Sequence, residues 1–214
     1  MNKNKIVNMV KEIIIKIMKE YEEKLVPIGI SNKHIHVSSE DLESLFGKGY
    51  TLTKIKDLGQ PGQFAAKETV KMIGPKGSFE KVRILGPVRD TTQIEVSLAD
   101  GFKLGLDVPI RESGKIHDTP GILLEGPKGK TVKKNGVIVA LRHIHMTPEI
   151  AKIYGVTDKE MVDVETKGIR KSVFGNVLVR VSNKYRLEMH IDMDEANSSG
   201  LRNGDKVRIL KNKE

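Results

Sequence analysis

The 214-residue chain is 38% hydrophobic and 30% charged, the balance of a globular protein with room for one large domain or two small ones. It has no cysteine, which excludes disulfide staples and thiolate metal sites and leaves His, Asp and Glu as the good metal ligands. A net charge of +9 is compatible with an anionic partner: nucleic acid, against which 4% aromatic content and no Trp argue, or a small phosphorylated ligand, which suits the charge equally well.

Near the start, Ile6, Val10, Ile13, Ile14, Ile17, Met18 and Tyr21 recur at three- and four-residue steps. That spacing predicts an amphipathic helix over residues 1–24, ended by Pro27. Lys11, Glu12 and Lys16 interrupt the apolar stretch and no small-residue cleavage site follows, so it reads as neither a secretion signal nor a membrane span. Such a helix either packs on its own domain or buries its apolar face on a partner.

After Pro27 the texture changes to short strand-like runs at 28–31, 70–73, 81–85, 94–98, 137–141 and 177–181. Two Gly-Pro-Lys-Gly segments, at 74–77 and 126–129, read as hairpin turns. The second continues into Lys130-Thr131, but a phosphate loop requires glycine where Leu124 stands. Brief helices are expected near Ser39–Phe46 and Pro148–Tyr154. The predicted fold is mainly β: two small β-barrels capped by short α-helices, with the N-terminal amphipathic helix.

An internal repeat supports two related halves. Lys33-His-Ile-His-Val-Ser-Ser-Glu recurs as Arg142-His-Ile-His-Met-Thr-Pro-Glu, and the segment from Gly155 resembles the one from Gly200. On a strand, residues two apart share a face, so His34/His36 and His143/His145 each aim two imidazoles at one point. Each pair needs a third ligand. His190 lies on the polar face of the alternating run Leu187–Met193. Aligning Ile94, Val96 and Leu98 with Met189, Ile191 and Met193 sets Glu95 opposite His190. The predicted metal groups are therefore His34, His36, Glu95 and His143, His145, His190. Three protein ligands with an open position is the pattern of a catalytic zinc site. Glu188, Asp192 and Asp194 remain competing ligands, and His117 reads as a surface histidine. Arg89, six residues before Glu95, is suited to hold a tetrahedral oxyanion.

Four stretches, Ile30–Ser38, Gly86–Glu95, Leu141–Pro148 and Met189–Asn197, together resemble the PduL-type phosphate propanoyltransferase (phosphotransacylase) family, named for propanediol utilisation. The resemblance implies two zinc ions and reversible transfer of a short acyl group, propanoyl or acetyl, between coenzyme A and inorganic phosphate. It implies one discontinuous barrel from residues 25–32 and 141–214, another from 33–140, and the site between them. It also implies that Arg89 contacts phosphate and that Ile30, Ser31, Asn32, Lys76, Arg83 and Asn197 contact coenzyme A. One metal would serve phosphate and the other the thioester. No membrane or nucleic-acid partner is expected.

Family members inside bacterial microcompartments carry an amphipathic N-terminal peptide that directs encapsulation, through shell or core proteins. Here no Gly/Pro/Ser-rich linker precedes Pro27, which favours an integral helix of a free cytoplasmic enzyme. The alternative function is a dinuclear metallohydrolase of phosphate esters or amides, although no bridging carboxylate or general base is evident. Acyl-chain preference, native metal and homo-oligomeric state are not legible.

Overall fold

Residues 3–210 are described in a computed structural model. The first half of the chain comprises α1 (Lys3–Glu22), β1 (Leu25–Ser31), β2 (His34–His36), α2 (Ser39–Phe46), β3 (Lys54–Asp57), β4 (Phe64–Ile73), β5 (Ser78–Gly86), β6 (Gln93–Glu95) and α3 (Leu98–Leu104). There follow β7 (Ile110–Arg111), β8 (Ile122–Glu125), β9 (Lys130–Lys133), β10 (Val137–Ala140), β11 (His143–Met146) and α4 (Pro148–Tyr154). The chain then forms β12 (Met161–Glu165), β13 (Val173–Val181), β14 (Glu188–Asp192), α5 (Met193–Ser199) and β15 (Lys206–Leu210).

The architecture is mainly β. One closed barrel runs β1-β14-β11-β13-β12-β15, and β1 completes it by pairing parallel to β14 and antiparallel to β15. The other unit is a nine-stranded sheet in the order β7-β10-β6-β2-β5-β4-β8-β9, with β3 added to β4. It stays open, ending on the two-residue β7 and on β9, whose Lys130 and Lys133 make a charged edge. Each unit has its own core. Ile144, Val164, Val179, Met189 and Val207 are fully buried in the barrel, and Ile35, Ile84, Ile94, Leu124 and Val137 in the open sheet.

The helices begin where a side chain can accept from the first free amides. Ser38 accepts from the Asp41 N–H to start α2, and Thr147 from Ile150 to start α4, with Pro148 in its first turn. Neither α3 nor α5 was expected, because apolar alternation was extended through Leu98 and Met193. The strands stop earlier, at Glu95 and Asp192. Ser97 with Asp100, and Asp192 with Glu195, form reciprocal capping boxes, and left-handed Gly105 and Gly200 end the two seven-residue helices.

Both Gly-Pro-Lys-Gly segments are hairpin turns, and each docks a helix end. The Lys76 N–H donates to the Leu104 carbonyl and that of Lys128 to Leu45, both at 3.0 Å. A Cβ on Gly74 or Gly126 would overlap those same residues.

The N-terminal helix departs from the expectation of packing on its own domain. Ile6, Val10, Ile13, Ile14, Ile17 and Met18 are 41–57% exposed. Near its end, Tyr21 packs on the barrel core, its ring 6.0 Å from Tyr154. Among the described residues, no helix is long and apolar enough to cross a membrane.

Candidate functional site

Strand register builds the site. β2 runs antiparallel to β6 with His34 facing Glu95, and β11 runs antiparallel to β14 with His143 facing His190. The second histidine of each triplet lies two residues on and returns to the same face. Ligand atoms of His34, His36 and Glu95 lie within 4.8 Å of one another, as do those of His143, His145 and His190. The two groups adjoin: Glu95, His143 and His190 line one cleft with Ser31, Asn32 and Asp192.

The four triplet histidines are buried. His34 Nδ1 lies 2.8 Å from the Asn32 carbonyl and His143 Nδ1 2.8 Å from the Leu141 carbonyl, the same contact in both halves. A carbonyl only accepts, so each Nδ1 carries the proton and each Nε2 keeps its lone pair free. His145 Nδ1 is buried without a hydrogen-bond partner, a costly state that a bound ligand at the imidazole cluster would account for.

Burial lowers the pKa of three of them, His36, His143 and His145. Burial first, then the charges of His34 and Arg89, push His36 down to about 3 against the pull of Glu95. Burial, then His190, lowers His143 to about 4. Burial, then His143 and His190, lowers His145 to about 2. For Glu95, burial alone would raise the pKa, but the neighbouring His34, His36 and His143 rings and the Arg89 guanidinium outweigh it and hold the carboxyl at about 2. Neutral imidazoles and an ionised carboxylate are the protonation states that bind metal.

Around the third ligands the halves use opposite chemistry at equivalent positions. Gln93 faces His36 and Glu188 faces His145. The Gln93 amide donates to Glu95 Oε1 at 2.6 Å, and the Ser113 hydroxyl donates to the same oxygen at 3.2 Å. In the other half Glu188 Oε2 sits 2.8 Å from His190 Nε2 and accepts from Gln60 at 3.1 Å. Glycine at 29 and 59 leaves room for that carboxylate, since a Cβ at either would overlap it. Glu188 thus holds a ligand and is outside the three-residue group. Asp192 caps α5 and Asp194 accepts the Ala99 N–H, so both are engaged elsewhere. His117 pairs with Asp118 on the surface.

Arg89 lies between β5 and β6, its N–H bonded to the Val37 carbonyl beside β2. Burial lowers its guanidinium pKa, Glu95 opposes that, and Arg180 adds to it. Sequence reasoning missed Arg180. It stands on β13 next to His145 of β11, with Leu178 next to His143. Val177 and Val179 point into the core, so alternation alone set Arg180 on the histidine face. Tyr185, also missed, stacks on His145 with ring centres 4.2 Å apart.

Of the residues the resemblance ties to coenzyme A, Ser31 and Asn32 line the cleft. Ile30 on β1 is anchored by the Asn203 side chain. Arg83 sits beside His34 in register and donates to the Ala66 and Lys67 carbonyls. Lys76, in the β4–β5 turn, and Asn197, on α5, are exposed and do not line this cleft.

Comparison with known proteins agrees in one direction. The sequence profile of the phosphate propanoyltransferase family matches residues 27–202. A phosphate propanoyltransferase of Thermotoga maritima is 54% identical over 86% of this chain and 88% of its own length. One from Priestia megaterium is 51% identical over 96% and 95%, and one from Enterococcus faecalis 44% identical over 99% and 100%. On the strength of a match covering most of its length, the chain belongs to the phosphate propanoyltransferase family of acyltransferases.

Proposed function

We propose that the protein reversibly transfers a short acyl group, propanoyl or acetyl, between coenzyme A and inorganic phosphate at a site holding two zinc ions. The observation that carries this reading is the pair of adjoining three-ligand groups, unlike in charge, with a half-buried arginine beside them. The donors suit zinc, which takes imidazole nitrogen and carboxylate oxygen and keeps a fourth position open in catalytic sites. His34, His36 and Glu95 would hold one ion and His143, His145 and His190 the other; bound zinc supplies Lewis-acid polarisation and a template for two reactants.

The protein's own residues do the rest. Arg89 offers a planar fork of donors to phosphate and orients it as the nucleophile. A phosphate oxygen attacks the thioester carbonyl carbon, the carbon–sulfur bond breaks, and coenzyme A leaves as a thiolate that takes up a proton. Holding both reactants in one cleft replaces a bimolecular encounter. The buried imidazole walls limit the water that would compete with phosphate for the acyl group. We assign the coenzyme side to Ile30, Ser31, Asn32, Lys76, Arg83 and Asn197; Ser31 and Asn32 have the strongest support because they border the metal groups. The net charge of +9 suits a substrate that carries several phosphates.

The uncovered apolar face of α1 supports docking to a second protein, which favours encapsulation in a microcompartment over a freely diffusing enzyme. The acyl-transfer reading itself is tested by incubating zinc-loaded protein with propanoyl-CoA in the presence and absence of phosphate. Release of free thiol that requires phosphate, with acyl phosphate as product, is expected. Equal release without phosphate would identify a hydrolase.

A further inference from the structure

Arg180 has an unusual position for a cation. Its side chain is 22% exposed, it neighbours His145 across the β11–β13 pair, and its charge bears on Arg89, His143 and His145. Among the described residues its guanidinium makes no hydrogen bond. The nearest carboxylate oxygen, Glu112 Oε1, is 4.0 Å from Nε, and the group otherwise leans over the Tyr185 ring at 5.8 Å. Arg89 likewise has no ion pair or side-chain hydrogen bond among the described residues. Two partly buried guanidinium groups with unspent donors therefore flank one site and repel each other, an arrangement that a bound oxyanion would relieve.

Glu112 belongs to a second cavity, of about 610 Å³, lined by Ile110, Arg111, Lys115, Lys159 and Leu178 among others. It is ion-paired with Lys159 and, at 3.0 Å, with Lys115. The wall carries three cations, Arg111, Lys115 and Lys159, against this one anion. In barrel order β11 lies between β14 and β13. The Ser31/Asn32 cleft includes residues of β14, whereas the basic cavity includes Leu178 of β13 and Met161 of β12. The two openings thus lie on opposite flanks of the His143/His145 strand.

We propose that Arg180 is a second phosphate-holding arginine, that Glu112 is the counter-ion from which incoming phosphate draws it, and that the basic cavity is the phosphate entrance. This rests on the acyl-transfer reading. Phosphate then arrives from the β12/β13 flank while the thioester occupies the β1/β14 flank.

The test uses full-length, zinc-analysed protein, with initial rates measured against phosphate and against propanoyl-CoA separately. R180A is expected to raise KM for phosphate about tenfold or more while KM for propanoyl-CoA and zinc content stay near wild type, with partial recovery in R180K. E112Q is expected to lower KM for phosphate about two- to fivefold, because it removes a competing negative charge. An unchanged KM for phosphate in R180A overturns the proposal. If R180A loses zinc or melts early, the other two variants decide: wild-type phosphate KM in both R180K and E112Q overturns it. Wild-type protein that releases thiol without phosphate defeats the functional reading itself, a separate outcome.

Discussion

At the residue scale, each candidate metal group is completed by a ligand whose own partner has the complementary chemistry. Glu95 is an acceptor and receives the Gln93 amide, whereas His190 is bonded to the acceptor Glu188. A metal-binding imidazole anchored by a carboxylate is held in one tautomer and made more basic. Replacing Glu188 with Ala should weaken the second zinc about 10- to 100-fold, measured by competition with a chromogenic chelator; equal affinity would leave Glu188 without that role. The buried histidines of the two groups set a pH limit. The folded-state pKa values of His36, His143 and His145 fall to about 3, 4 and 2, below the unfolded value of about 6.5. Between pH about 6.5 and 4 the unfolded chain therefore binds more protons, so stability falls as pH falls through that window. Urea midpoints of metal-free protein should decline over that range, and a flat profile would contradict the burial argument. The grouping of the six side chains was legible because two-residue periodicity and an internal repeat both constrain it. Arg180 was not singled out, although its strand was, because a lone arginine in an alternating run looks like any solvated one.

At the element scale, the helices show where periodicity misleads. Leu98 and Met193 continue the alternation of Ile94–Val96 and Met189–Ile191, so apolar pattern alone extends each strand too far. The deciding signal is polar: Ser97 with Asp100 and Asp192 with Glu195 turn the backbone into a helix just after each third ligand. Those turns fix the ends of β6 and β14, and with them the positions of Glu95 and His190. Ser97→Ala should destabilise the protein by about 1 kcal/mol through loss of the cap, read as a lowered urea midpoint. An unchanged midpoint would show that α3 is held by its packing alone.

At the scale of the whole molecule, each half runs from a His-x-His strand through a helix and further strands to a second helix, but one ends as a closed barrel and the other as an open sheet. Strand alternation reveals that both halves are β, but closure depends on edge pairing between distant segments. β1 joins the barrel from the far end of the sequence, and no local pattern encodes that. The N-terminal helix was legible as a helix, while its apolar side faces outward. Ile13→Glu with Ile17→Glu in the full chain should change stability by no more than about 0.5 kcal/mol, as for other exposed positions. A larger loss would mean that the helix is packed on its own domain.

Acyl transfer at this site requires two metal ions held by two separate groups, and metal stoichiometry tests that most directly. Elemental analysis of purified, zinc-equilibrated protein should find about two zinc ions per chain, one for each group. His190→Ala should lower the content by about one ion and leave the His34/His36/Glu95 site filled. Full retention in that variant, or no zinc in the wild type, would contradict it.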